Sequence, residues 1–240
     1  MAKANKNQKL GKGGKRINAA RALVKADHLY TLDEAINLIK EFPKAKFDET
    51  VDLSVQLGVD PRKAEENVRG TVALPHGTGK NVRVIAICKG EKVKEALDAG
   101  ADMAGAEEIV EKIQGGFMDF DAVVASPDAM VMIGKVAKIL GPRGLMPNPK
   151  VGTVTVDVAK AVKAIKAGRV EFRVEKAGIV HVGCGKVSFD SDKVLENIKT
   201  VIDAIVKSKP SSSKGIYLQG VNLSTTMGPG IKIDPAPFRM

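Results

Sequence analysis

Side chains able to do covalent or metal chemistry are scarce and scattered in this 240-residue chain. His28, His76 and His181 share no metal-ligand spacing with one another or with Cys88 and Cys184, and no GxSxG nucleophile turn occurs. His76-Gly77-Thr78-Gly79-Lys80-Asn81 resembles a phosphate loop but breaks the pattern at both ends. Leu74 stands where the first glycine belongs, Asn81 where the Ser/Thr belongs, and the stretch precedes a strand instead of joining a strand to a helix. These residues point to no catalysis, no metal and no cofactor, which leaves hydrogen bonding as the chemistry to look for.

The densest run of hydrogen-bonding groups is Ser224-Thr225-Thr226-Met227-Gly228-Pro229-Gly230, directly after the apolar run from Gly215 to Leu223. The apolar run reads as a strand, because Ile216, Leu218, Val221 and Leu223 are β-formers. Gly-Pro-Gly cannot continue a ladder, so the hydroxyls sit at the strand's end. Small hydroxyls and bare backbone make a low surface that a sugar-phosphate chain can approach. A second candidate is Lys46-Phe47-Asp48-Glu49-Thr50, which opens an alternating strand with Val51, Leu53, Val55 and Leu57 on its apolar face. There Lys46 suits a phosphate, Phe47 a ribose or base, and Glu49 and Thr50 the RNA 2′-hydroxyl. Both stretches also admit a purely structural reading, as a strand-to-turn corner and as a strand entry with Phe47 in the core.

Charge distribution favours a polyanionic partner. The net charge is +10, and it is uneven: residues 1–67 hold 13 basic and 10 acidic residues, 68–159 hold 11 of each, and 160–240 hold 14 and 7. The excess sits at the two ends, with a Lys- and Gly-rich arm over residues 1–16, and with Arg173 and Lys176 among the later cations. Seven Phe, two Tyr and no Trp are few for stacking an unstructured single strand, so folded RNA read by shape and backbone is the better fit. Two distant cysteines fit a reducing compartment, and no apolar run approaches the ~20 residues of a membrane span. A soluble cytoplasmic protein without membrane contact is expected.

The elements needed to position these groups follow from periodicity. Thr31-x-x-Glu34 has the form of a capping box opening a helix that Pro43 closes. From Val82 to Ile139 strands and helices alternate, implying a parallel sheet covered on both faces, a Rossmann-like layer. Gly141–Lys150 is a loop stiffened by three prolines, and Asp157 caps a helix. Arg169–Val174 and Gly178–Val182 have hairpin spacing, and Ser191 opens a long apolar-faced helix. One good strand in residues 17–67 cannot bury its face alone, and residues 160–230 offer three. The simplest α/β arrangement is therefore a discontinuous RNA-binding domain from residues 1–67 and 160–240, with one four-stranded sheet, and an inserted Rossmann-like domain over 68–159. The rival reading is a nucleotide-dependent enzyme using the inserted domain.

Several of these segments carry a family resemblance: Lys46-Phe47-Asp48-Glu49-Thr50-Val51, Asn67-Val68-Arg69-Gly70-Thr71, Leu74-Pro75-His76-Gly77, the loop Gly141 to Lys150, and Thr225-Thr226-Met227-Gly228-Pro229. Over essentially the whole chain they resemble the large-subunit ribosomal protein L-one family, the proteins of the mobile side stalk, in the bacterial form. The resemblance implies a split β-α-β domain made by both chain ends and a hinged Rossmann-like insertion. It implies binding to the stalk helices of large-subunit rRNA through Lys46, Phe47, Glu49, Thr50, Thr226, Met227 and Gly228. It further implies release of deacylated tRNA from the exit site, repression of the protein's own operon by binding its mRNA, and a monomer when free of the ribosome. Gly220 falls where some relatives have Ser, so one hydrogen bond of the usual set would be missing or supplied by water.

Overall fold

The computed structural model describes residues 14–25, 27–213 and 215–238. Of the basic arm, only Gly14, Lys15 and Arg16 lie within them. Two helices open the described chain, α1 (Lys15–Leu23) and α2 (Leu32–Glu41), followed by strands β1 (Thr50–Leu57) and β2 (Arg69–Ala73). Then come β3 (Val84–Ile87), α3 (Lys92–Asp98), β4 (Met103–Gly105), α4 (Glu107–Gln114), β5 (Ala122–Ala125), α5 (Met130–Ile133), α6 (Ala137–Leu140) and α7 (Val158–Lys166). β6 (Arg169–Arg173), β7 (Ile179–Lys186), α8 (Ser191–Lys207), β8 (Leu218–Thr225) and β9 (Ile231–Ile233) complete it.

The capping box forms as expected: Thr31 Oγ1 accepts the Glu34 N–H at 3.3 Å, and Glu34 Oε2 accepts the Thr31 N–H at 3.0 Å. It starts α2 with Leu32, Ala35, Ile36 and Ile39 facing inward. They meet α8, which buries Val194, Ile198, Val201, Ile202 and Ile205. Together the two helices cover one face of a four-stranded antiparallel sheet of order β7-β1-β8-β9. β7, α8 and β8 form a β-α-β unit split by β1, which runs antiparallel between its two strands. Alternation in β1 is strict: Val51, Leu53, Val55 and Leu57 are buried, while Thr50, Asp52, Ser54 and Gln56 form the open polar face.

The sheet has the expected four strands but not the expected members. The expected hairpin turn closes, with the Glu175 N–H donating to the Ile179 carbonyl at 2.9 Å and Val174 bridging Val180, but its ladder stops there, and β6 pairs along its length with β2 in a separate two-stranded sheet. Glycine explains the choice. The Phe172 ring lies over Gly70, where an added Cβ would stand 2.7 Å from it, so β2 offers a seat for a fully buried ring. β6's expected place in the large sheet is filled by β9. The Gly-Pro-Gly turn does end β8, but the chain then reverses, and Ile231 and Ile233 pair with Leu223 and Val221 with their side chains in the core.

The middle of the chain holds the parallel sheet, order β4-β3-β5. Its residues are buried on both sides, which is why β3 reads as a continuous apolar run. Ile85, Ile87 and Val123 pack with α4, α5 and α6, while Val84, Ala86 and Val124 pack with α3 and α7. The expected single helix around Met130–Ile139 is broken at Gly134 by a tighter 3₁₀ turn. Asp157 precedes α7 but caps no backbone N–H with its side chain; it pairs with Lys160 instead.

The cores part company elsewhere than at 67/68 and 159/160. Val68, Val72 and Leu74 belong to the core under the four-stranded sheet, and Val158, Val162 and Ile165 of α7 belong to the core of the parallel sheet. The two connecting strands of chain meet closely. The Leu74 N–H donates to the Gly168 carbonyl at 3.3 Å, and a Cβ on Gly168 would collide with Gly77. Both glycines have positive φ, so the crossing needs residues without side chains. Buried Asn197 fixes it to α8 and β7, accepting the His76 N–H and donating to the carbonyls of Gly77 and Cys184.

Candidate nucleic-acid interface

The entry to β1 and the exit from β8 lie side by side, with Val51 opposite Thr225. Beyond that pair, the Thr226 N–H donates to the Thr50 carbonyl at 3.0 Å, and the Thr50 N–H donates to Thr226 Oγ1 at 2.9 Å. The two stretches singled out in the sequence therefore form one continuous edge, although 176 residues separate Thr50 from Thr226.

Beneath that edge lies Glu49, only 6 % exposed. Its Oε2 accepts the Met227 N–H at 3.0 Å and its Oε1 accepts Arg16 Nη1 at 3.1 Å. Arg16 in turn donates to the carbonyls of Met227 (3.2 Å) and Pro43 (3.4 Å). Burial works against the charge on Glu49, but hydrogen bonds from Thr225 and the Met227 N–H, with the Arg16 guanidinium beside it, outweigh burial and hold the carboxyl below its ordinary range. Next to it, Asp48 accepts the Ser188 N–H (3.2 Å) and hydroxyl (2.7 Å). Both acids of the stretch are thus spent on fixing the chain.

The residues between and beyond them face water. Phe47 is 54 % and Met227 51 % exposed, a large apolar exposure for two residues at one end of a sheet. Lys46 is exposed and has no carboxylate within ion-pair distance among the described residues. Lys186, opposite Thr50 on β7, likewise lacks one; its Nζ donates to Thr50 Oγ1 at 3.0 Å and to the Asp48 carbonyl at 3.4 Å. Ser224, opposite Asp52, stands on the open polar face. Gly228 is required for space, since a Cβ there would collide with Thr225 Oγ1 and press on Phe42 at 3.4 Å. Gly220 is not: a Cβ there would meet only Gln56, at 3.8 Å.

Several expected site residues sit differently. Thr225 is buried and hydrogen-bonded to Glu49, so it supports the surface from below. Strand parity explains this, because β8 runs through Thr225 and continues the inward series Val221, Leu223. Glu49 likewise turns inward to hold Met227 and Arg16. Arg173 and Lys176 are exposed but remote. The turn holding Lys176 packs beside Leu57, whose N–H donates to the Gly178 carbonyl, at the far end of β1 from Thr50. Seven residue steps at ~3.3 Å each put it roughly 23 Å away. Arg173 lies opposite Arg69 in the two-stranded sheet. Sequence reading took Arg16 as part of a basic arm and did not single out Lys186 or Ser188. No local spacing marks them, because their partners are 27 to 211 residues away.

Elsewhere on the open face, Ser54, His181 and Glu175 form an exposed hydrogen-bonded chain of 3.0 and 3.4 Å, the second link too long to position a base. Cys184 is sealed in the core, where burial pushes its thiol up to about 12. No cluster of metal-binding side chains occurs among the described residues.

An open sheet edge of hydroxyls and peptide groups, two exposed apolar side chains and two cations without an ion-pair partner among the described residues thus stand on a split β-α-β unit with a Rossmann-like companion. Residues 39–229 match the ribosomal protein L1p/L10e family, and the chain belongs to it. It is accordingly a non-enzymatic, RNA-binding component of the large ribosomal subunit, ribosome-associated in the cytoplasm. No helix among the described residues is long and apolar enough to cross a membrane.

Proposed function

We propose that this protein holds the stalk helices of large-subunit rRNA on the edge made by Lys46, Phe47, Thr50, Ser224, Thr226, Met227 and Gly228, with Glu49, Thr225 and Arg16 as its internal frame. The observation that carries this reading is the Glu49 carboxylate, which ties Arg16 and the Met227 N–H into one unit and leaves Phe47 and Met227 exposed on either side. A preset surface of this kind loses little entropy when RNA docks. Apolar side chains then pack on sugars, hydroxyls and peptide groups bond to backbone and 2′-OH groups, and Lys46 meets a phosphate. Lys176, at the far end of β1, and Arg173, in the separate two-stranded sheet, add long-range attraction only.

On the same reading the unit formed by both chain ends binds the RNA and the inserted Rossmann-like unit does not, the chain passing between them near residues 74–82 and 166–169. The protein is a monomer when free, of the bacterial form. On the ribosome it helps deacylated tRNA leave the exit site, and off it the same edge represses its own operon by binding mRNA that mimics the rRNA site. The test is a salt-titrated binding measurement on the rRNA stalk fragment and on duplex DNA. Preference for the folded RNA is expected, with Lys46→Ala lowering the salt slope by about one. Equal affinity for duplex DNA would reject the reading, and an unchanged slope would remove Lys46 from it.

A further inference from the structure

We propose that the cleft between the parallel sheet and the four-stranded sheet is a binding site for one free mononucleotide. The cleft encloses about 330 Å³, near the lower end of the ~300–1,000 Å³ typical of small-molecule sites, and lies between two cores, where such sites concentrate. Its apolar walls include Val123, Leu145, Met146 and Val170, surfaces on which a flat base can lie. Thr50, Thr71 and Thr78 line it too and can partner a ribose, whereas Thr153 spends its hydroxyl on the Asn148 N–H and carbonyl.

Charge decides the class of ligand. Of the cations at the cleft, Lys80 is matched by Asp121 at 3.0 Å, and the lining Glu171 is matched by Arg69 at 2.6 Å. Arg169 and Lys186 are different: among the described residues neither has a carboxylate within ion-pair distance. Arg169 donates to Thr71 Oγ1 (2.9 Å) and the Val151 carbonyl (2.6 Å), Lys186 to Thr50 Oγ1 and the Asp48 carbonyl. Asp52 feels the charge of Lys186 but makes no ion pair with it. Two cations without an ion-pair partner among the described residues, beside apolar walls and hydroxyls, call for an amphiphilic anion, and a nucleoside monophosphate presents those three chemistries together. Thr78 and Lys80 bring the imperfect phosphate-loop segment to this cleft, and Gly79 at φ +67 keeps that segment tight against Phe189 and Lys186. The site is not the usual Rossmann crevice, since Val82, Asp121 and Ala122 place it at the opposite, N-terminal ends of β3 and β5.

Isothermal titration of the full chain with 5′-AMP, adenosine and inorganic phosphate tests this, with no RNA present, so failure here leaves the RNA-binding reading standing. One-to-one AMP binding is expected, at least tenfold weaker for adenosine and for phosphate. Lys186→Met and Arg169→Met should each weaken it at least tenfold, and Lys89→Met, in an exposed loop after β3, should not. Should Arg169→Met unfold the protein, Met146→Trp, at a position 38 % exposed on the cleft's rim, closes the space without removing a hydrogen bond and should also abolish binding. No saturable heat up to millimolar AMP, AMP binding indifferent to the cleft variants, or phosphate or adenosine binding as tightly as AMP would each overturn the proposal.

Discussion

Glu49 illustrates how a residue type suggests a contact and the surroundings assign it another task. In sequence it is an acid between two exposed-looking residues, well suited to a ribose hydroxyl. In the folded chain its two oxygens are turned to Arg16 and the Met227 N–H, so its contribution is the shape of the edge. The carboxyl is held below its ordinary range, and the sign of the pH effect follows. A depressed carboxylate adds stability above its unfolded pKa of ~4.3, and that stability is lost as pH falls through the lower folded value. Glu49→Gln keeps the volume and removes the charge, so at neutral pH it should destabilise by roughly 1–3 kcal/mol and weaken RNA binding about tenfold. The melting-temperature gap between the two proteins, followed from pH 7 to pH 3, should close on acidification. A constant gap would show that the charge is not what matters. The exposure of Phe47 and Met227 decides between two readings that the sequence leaves open, since a side chain at a strand end can turn to water or to the core. The Glu49 and Arg16 roles were not legible, because they depend on contacts 27 to 211 residues away.

At the scale of elements, alternation read the faces of β1 correctly and both-sided burial identified β3, since each strand's environment is written into its own residues. Pairing was a different matter. The turn from β6 to β7 closes as its spacing suggests, yet beyond the Val174–Val180 bridge β6 pairs with β2, where Gly70 leaves space for Phe172. β2 and three-residue β4 went unread, and β9 hid behind a turn that looked like an ending. That turn is the element on which the edge depends. Gly228 packs against Thr225 Oγ1, and the Thr225 hydroxyl bonds to Glu49, so an added methyl pushes directly on the frame. Gly228→Ala should therefore lower the melting temperature by several degrees and weaken RNA binding, whereas Gly230→Ala, with nothing within 4 Å of the added atom, should do neither. Equal effects of the two substitutions in a thermal melt and a binding assay would mean that backbone freedom, and not the contact with Thr225, sets the turn.

The whole molecule was legible in outline because charge and periodicity change together along the chain: the ends are basic, the middle is neutral and alternates strand with helix. The places where the chain passes between cores were not legible to within several residues, since β2 looks like a connector until β6 lies beside it, and α7 carries lysines outward while its apolar face belongs to the parallel sheet. The structure supplies the better cut. Gly77 and Gly168 are in contact, and the residues before and after them are already joined by the Leu74–Gly168 hydrogen bond. Replacing 78–167 with one or two glycines should thus reconnect the chain without moving β2, β6 or the Asn197 bonds to His76 and Gly77. The shortened protein should unfold cooperatively and bind the rRNA stalk fragment as tightly as the full chain, to within about threefold, because every residue assigned to the edge remains. Its affinity should, if anything, rise, since Thr50 and Lys186 no longer share a cleft with the Gly144–Met146 loop. A cooperatively folded product with more than tenfold weaker binding would place part of the RNA contact in the inserted segment and end the division of labour between the two units.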